Sequence, residues 1–249
     1  MSNDIHDDTH HDIHDDIHND KANAMSQLSY KINPMPEPIA ADKLERLAKL
    51  ETATLGHFYH FGFAAPEISP VLPQKTVVGT VCTLAIPGLD STLLHHCLSQ
   101  MGPGYFLAVD RLGDRKYACW GGGVTRMAAS MKIAGGCVDG PHTDTAEIRE
   151  QNFPMWSRGA SPVTTRLYNT GGGFNIPVSV GGAAVLPGYA VLADECGVLF
   201  IASEDLDAVL EAGEAKTAKG LKNEARVSAG ERLGDLTGAT RMIEDTLAN

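Results

Sequence analysis

Gly121-Gly122-Gly123-Val124-Thr125-Arg126, followed a short amphipathic segment later by Val138-Asp139-Gly140-Pro141-His142-Thr143-Asp144, is the stretch on which the reading of this chain turns. Successive backbone N–H groups at the start of a helix form a nest for a carboxylate or phosphate. Three glycines there let a ligand approach closely, since no β-carbon stands in the way. Val124 to Ile133 has the spacing of a helix, and Ala134 to Val138 is a short apolar strand. That strand runs into a loop rich in polar side chains, so the stretch pairs an anion cradle with donors and acceptors beside it.

Working outward, the apolar spacing predicts a helix over Ala41–Leu50 and a second over Thr52–Phe63 that carries His57 and His60 on one face. Two histidines without a third ligand fit packing better than a metal centre. After the Pro-rich loop from Pro66 to Pro73, Thr76–Ala85 reads as a strand. Ser91 to Met101 follows as a helix, closed by Gly102-Pro103-Gly104. Tyr105–Asp110 is a buried strand, Lys116–Trp120 another candidate strand, and Thr145–Gln151 a helix. Beyond Pro177 the chain turns β-rich. Pro177–Val180 and Ala183–Val185 flank a Gly181-Gly182 turn, and Tyr189–Ala193 and Val198–Ile201 flank another. Ser203-Glu204-Asp205-Leu206 opens a helix running through Lys216, and a polar tail with helical stretches follows. Strands alternating with helices and then a β-rich half indicate an α/β or α+β domain.

Composition narrows the function. The 249 residues are 43% hydrophobic and 20% charged, the balance of a globular protein. No apolar run is long enough to span a bilayer, and no secretory signal is legible, so a cytoplasmic protein without a membrane partner is expected. The five cysteines lack CxxC spacing and read as reduced, mostly buried thiols. The formal charge of −11 comes without a basic stripe, which argues against direct nucleic-acid binding. Residues 1–24 hold seven Asp and one Lys, a net of −6, with His6, His10, His14 and His18 spaced by four. Nothing in this repeat can bury a core, and it reads as a disordered tail with adventitious metal affinity. The expected organisation is this tail, a domain over residues 25–215 and a helical extension over 216–249.

The glycine triplet, the Val138–Asp144 loop and Asn152-Phe153-Pro154-Met155-Trp156-Ser157-Arg158-Gly159 together resemble the RraA-like family. Val185-Leu186-Pro187-Gly188 and Ala193-Asp194-Glu195-Cys196-Gly197-Val198 are similar to its paired motifs, and the likeness spans roughly residues 45–215. The family holds metal-dependent pyruvate aldolases acting on 4-hydroxy-4-methyl-2-oxoglutarate, oxaloacetate decarboxylases and the RNase E regulator. The resemblance implies a ββα swivelling-domain-like sandwich, assembled as a homotrimer or homohexamer with sites between subunits.

It also implies a site. The family's Gly-Asp/Glu-Leu-Leu turn maps to Gly121-Gly122-Gly123-Val124. Its Arg-Asp pair, twenty-one positions beyond the acid, maps to Thr143-Asp144. Asp144 is retained, while Gly122 stands in place of the acid and Thr143 in place of the arginine. Gly121, Gly122, Gly123, Val124 and Thr143 are therefore the expected substrate-binding residues, and Asp144 the expected ligand of a divalent ion, Mg²⁺ or Mn²⁺ first and Zn²⁺ as a further choice. Thr143 offers only a neutral hydroxyl. Arg126, one turn into the helix, and His142 are the candidates to supply the missing charge or acid–base chemistry. The implied activity is that of a lyase on a small 2-oxo or hydroxy carboxylic acid, working through a metal-stabilised enolate. The alternative is a non-catalytic regulatory protein on the same fold. Asp110, Asp114, Asp139, Asp194 and Glu195 read as turn residues near strand ends.

Deleting residues 1–24 is expected to leave the thermal midpoint unchanged, as checked by differential scanning calorimetry. A clearly lower midpoint would mean that the tail packs on the domain.

Overall fold

The computed structural model describes residues 29–73 and 75–248, so the Asp/His tract of residues 1–24 lies outside the described residues. The chain enters through β1 (Tyr30–Ile32), α1 (Ala41–Leu47), α2 (Thr52–Leu55) and β2 (Ser69–Pro70). A run of alternating units follows: β3 (Val77–Ala85), α3 (Thr92–Leu98), β4 (Tyr105–Asp110), α4 (Gly122–Ser130), β5 (Gly135–Val138), α5 (Thr145–Glu150) and β6 (Met155–Ser157). The second half holds β7 (Gly172–Phe174), β8 (Val178–Val180), β9 (Ala183–Val185), β10 (Ala190–Asp194) and β11 (Gly197–Ile201). Three helices close the chain, α6 (Leu206–Ser228), α7 (Leu233–Thr237) and α8 (Ala239–Leu247).

Strands β3, β4, β5 and β6 pair in parallel, each joined to the next by a crossover helix. On the other side of β3 two strands share one edge. Strand β10 pairs antiparallel with Val77–Thr80, and β7 with Leu84 and Ala85. Strand β11 extends the sheet beyond β10, and β1 extends it beyond β7.

The period-two alternation of the strands sorts the core into layers. Cys82, Leu84, Leu107, Val109 and Val138 face Leu94, Leu98, Ala128 and Ile148 of the crossover helices. Val81, Phe106, Ala108, Cys137 and Trp156 face the opposite way and meet Val178, Val180, Ala183 and Val185 of the β8–β9 hairpin. A third cluster seals β10 and β11 under α1, α2 and the first half of α6, through Leu47, Leu55, Leu192, Leu199, Val209 and Leu210. Hairpin, sheet and helices form the ββα sandwich expected of the fold.

Some boundaries differ from the sequence reading. The helix expected over Thr52–Phe63 ends at Leu55. Gly56 follows, Gly62 adopts φ +75°, and Phe63 bridges to Leu199, so the segment is drawn to the sheet. Lys116–Trp120 forms no strand; Ala118 and Trp120 make single bridges to Thr164 and His142. Strands β1, β6 and β7 are three residues each, too short to leave a periodic signal. Helix α6 runs on to Ser228, so the expected boundary at residue 216 falls inside a continuous helix. The buried residues of α6 all lie in its first half, and α7 and α8 bury none. No helix among the described residues is long and apolar enough to cross a membrane.

The loops beyond the carboxyl ends of β4, β5 and β6 are tied together by Asp139. Its carboxylate accepts from Arg158 Nε (2.5 Å), Arg115 Nη1 (2.5 Å) and the Gly181 N–H of the hairpin turn (2.7 Å). Burial opposes its ionisation, but Arg158, Gly181 and Arg115 outweigh that and hold the carboxyl below the usual range. Asp139→Asn is expected to destabilise the fold by about 3 kcal/mol, because it leaves Arg158 facing a neutral amide. Chemical denaturation checks this, and a loss below about 0.5 kcal/mol would show the knot to be dispensable.

Candidate active site

The glycine triplet is the first turn of α4, with Gly121 at its N-cap. The first intrahelical acceptor is Gly121 O, which receives Thr125 N at 2.9 Å, so the N–H groups of Gly122, Gly123 and Val124 have no partner inside the helix. Asp144 caps the first of them, its Oδ2 accepting from Gly122 N at 2.9 Å. The N–H groups of Gly123 and Val124 meet no acceptor among the described residues and lie in the wall of a cleft of about 260 Å³. Buried Trp120 braces the helix start, donating from Nε1 to Thr125 Oγ1, which in turn donates to Gly121 O.

Three extended segments run beside this helix start. Thr143 N donates to Trp120 O (2.8 Å), His142 N to Gly159 O (2.9 Å) and Ala118 N to Val163 O (2.8 Å). They bring Thr143, Asp144, Cys119, Thr164, Thr165, Arg166 and, from the N-cap of α3 and the helix itself, Ser91 and His95 around the cleft. The site therefore sits outside the carboxyl ends of parallel strands, where open α/β sheets place their ligand sites.

The residues singled out by sequence fall into two groups. Gly121, Gly123, Val124, Thr143 and Asp144 line the cleft together. Asp144 holds a left-handed backbone, φ +53°, and its Oδ1 meets only the Thr143 hydroxyl at 3.3 Å. Gly122 lies behind this wall, buried.

His142 and Arg126 are turned to other partners. His142 is 5% exposed, with Nδ1 2.6 Å from Ser157 Oγ and Nε2 2.8 Å from Thr145 Oγ1. Both ring nitrogens are thus engaged within the chain, and burial pushes its pKa below the usual imidazole value. Arg126 Nη1 pairs with Glu147 Oε2 at 2.7 Å on the surface of α4 and α5. Cys119 has its thiol pushed up to about 11 by burial, so it stays protonated.

Two residues that the sequence reading passed over now stand out. Glu147 Oε2 lies 2.0 Å from where a β-carbon on Gly122 would be, so Glu147 fills the space that a side chain at position 122 would need. Arg166 enters the cleft from the loop after β6. No periodic pattern marks that loop, and only its fold over α3 brings Arg166 opposite the glycines.

Among the described residues no three His, Cys, Asp or Glu side chains gather into a cation cage. What the cleft offers a metal is one hard oxygen, Asp144 Oδ1. That suits Mg²⁺ or Mn²⁺, which keep several waters and share their shell with the substrate. Zn²⁺, which takes three or four protein ligands, finds no such group among the described residues.

A family model, RraA-like (Aldolase/RraA), matches residues 42–200. The chain is 32% identical over 151 residues to a Thermus thermophilus protein named 4-hydroxy-4-methyl-2-oxoglutarate aldolase, covering 60% of this chain and 91% of that one. A solved structure of the RNA-processing inhibitor RraA from Thermus thermophilus is 32% identical, with a TM-score of 0.55 over 61% of this chain and 92% of that one. A Streptomyces coelicolor protein, described as an unusual member of the RNase ES inhibitor RraA family, superposes with a TM-score of 0.66 at 22% identity. That match covers 79% of this chain and all of the other, and it speaks for the fold.

Because its folded pKa is depressed, His142 stays neutral while an unfolded histidine takes a proton near its ordinary value of about 6.5. In the window below that value the unfolded state binds more protons, so stability falls as pH falls. The His142 ring is expected to titrate below about 6.5 by NMR, and His142→Gln to flatten the stability loss between about pH 7 and 5. A His142 resonance titrating above about 7 would contradict the burial argument.

Proposed function

We propose, from the premise that the chain belongs to the RraA-like family, that it is a carbon–carbon lyase acting on a small 2-oxo or hydroxy carboxylic acid. The observation that carries this reading is the pair of unpartnered N–H groups, Gly123 and Val124, in the wall of the cleft. An open helix N-terminus of this kind receives a carboxylate. The aldolase name of a relative 32% identical to this chain supports the reaction class.

In this reading the substrate carboxylate accepts from Gly123 N and Val124 N, and the Thr143 hydroxyl donates to a neighbouring oxygen. Gly123, where a β-carbon would meet nothing, faces the open approach, Gly121 leaves room for Asp144, and Gly122 N holds Asp144 in place. Asp144 offers Oδ1 to a hydrated Mg²⁺ or Mn²⁺ ion. When bound, such an ion supplies positive charge to an oxygen on which negative charge develops during aldol cleavage or decarboxylation. His142 acts on the site indirectly, fixing the Thr143–Asp144 loop between Ser157 and Thr145. Arg126 contributes through Glu147, keeping that carboxylate clear of the cleft.

Assembly into a trimer or hexamer belongs to the same proposal. Its support is the apolar set Leu233, Met242, Ile243 and Leu247, exposed on α7 and α8 and suited to burial against another subunit.

Gly123 tests the nest directly, because a β-carbon there meets nothing within 4 Å. Gly123→Ala keeps the N–H and is expected to bind oxalate as the parent does. Gly123→Pro removes the N–H in a helical first turn that tolerates proline, and is expected to weaken oxalate by about 1.4 kcal/mol, or tenfold. Calorimetry reads both, and an oxaloacetate decarboxylation assay with Mg²⁺ or Mn²⁺ reads the reaction. Equal affinity in the two variants would remove the nest, and absence of turnover on any 2-oxo acid would favour a non-catalytic role.

A further inference from the structure

Resting on the reading just given, the cleft needs a fixed positive charge opposite the Gly123–Val124 amides, because Thr143 carries only a hydroxyl. We propose that Arg166 is the carboxylate-binding cation of this site and that Asp90 is the residue that positions it.

Arg166 lines the cleft together with Gly123, Val124, Thr143 and Asp144. Arg149 donates to Val71 O, and four other arginines of this region are committed to carboxylates. Arg126 pairs with Glu147, Arg115 and Arg158 share Asp139, and Arg111 meets Asp114. Among the described residues Arg166 meets no carboxylate. Its Nη1 donates to Thr164 O (3.1 Å), Thr164 Oγ1 (2.9 Å) and Thr165 O (3.0 Å). Nε and Nη2 meet no acceptor among the described residues. Those two nitrogens are the edge of a guanidinium that grips a carboxylate with two parallel hydrogen bonds.

A cation on a surface loop is useful only if the loop is held, and here Asp90 holds it. Asp90 is 2% exposed. Its Oδ1 accepts from Thr92 N (2.9 Å), Thr92 Oγ1 (2.6 Å) and Tyr168 N (3.1 Å). Its Oδ2 accepts from Thr170 N (2.7 Å) and Thr170 Oγ1 (2.8 Å). The backbone of Arg166 is pinned on the same side, donating to Leu89 O (2.8 Å) and accepting from Ser91 N (3.0 Å). One buried carboxylate thus ties the loop that carries Arg166 to the start of α3, so the guanidinium is placed before any ligand arrives. The arginine reaches the anion from the loop after β6 rather than from position 143.

Calorimetry with oxalate on the full-length protein, with Mn²⁺ present and absent, tests this. Arg166→Gln is expected to weaken oxalate by about tenfold or more with an unchanged thermal midpoint, and Arg166→Lys to recover part of the loss. Asp90→Asn is expected to reproduce most of the Arg166→Gln effect, and the double variant to bind no worse than Arg166→Gln alone. That non-additivity separates positioning from a general loss of stability. Should Asp90→Asn fail to fold, Thr170→Val, which removes one bond to Asp90, takes its place with a smaller weakening expected. Unchanged affinity in Arg166→Gln, alongside weakening in Gly123→Pro, would overturn this assignment and leave the nest intact. No oxalate binding by the parent protein would overturn both.

Discussion

The buried Asp139 carboxylate is the constraint on which the working end of this molecule depends. It follows directly from β5, so the sheet fixes its position, and it gathers Arg115, Arg158 and the hairpin turn at Gly181 onto two oxygens. Those groups come from the loop after β4, the loop after β6 and the layer on the far face of the sheet. A buried charge without such partners would be costly, so the carboxylate and its donors hold each other in place. The five residues that follow, Gly140 to Asp144, therefore leave the sheet in a defined direction and deliver Thr143 and Asp144 to the cleft.

Around that knot the same device recurs on a smaller scale. The loops at the carboxyl edge of the sheet make few regular ladders, and their backbone N–H groups must be paired in other ways. Asp144 takes the Gly122 N–H, and Asp90 takes those of Tyr168, Thr170 and Thr92. On the far side of the sheet, Asp194 takes those of Thr52 and Cys196. Each carboxylate joins segments that are distant in sequence or closes a tight turn. The amides of Gly123 and Val124, residues that line the cleft, meet no acceptor among the described residues. An anion that enters there meets donors already aimed and needs no local reorganisation.

The glycine triplet has a steric logic as well as a hydrogen-bonding one. A β-carbon on Gly121 would lie 2.6 Å from Asp144 Oδ2, and one on Gly122 would lie 2.0 Å from Glu147 Oε2. The first two glycines thus make room for carboxylates of α5, while the third faces open space. A side chain placed at position 122 would have to displace the Glu147 carboxylate from its present position. The nearest arginine in sequence, Arg126, is paired with Glu147 on the surface of α4 and α5.

The sequence alone determined the alternating strands and helices, the β8–β9 hairpin with its double glycine, the helix that starts at the triplet, and the membership of Asp144 and Thr143 in its loop. These are local properties, set by periodicity, turn chemistry and a run of contiguous motif residues. The three-residue strands β1, β6 and β7 were not legible, because they exist only through pairing with strands far away in the chain. The partners of the charged candidates were not legible either. His142 and Arg126 were the nearest candidates along the chain, yet the imidazole is satisfied by Ser157 and Thr145 and the guanidinium by Glu147. Arg166 is forty-two positions beyond Val124 and comes to the same cleft because Asp90 straps its loop to α3. Which charged side chains line the cleft is decided by where the loops carry them, and that is a property of the folded chain.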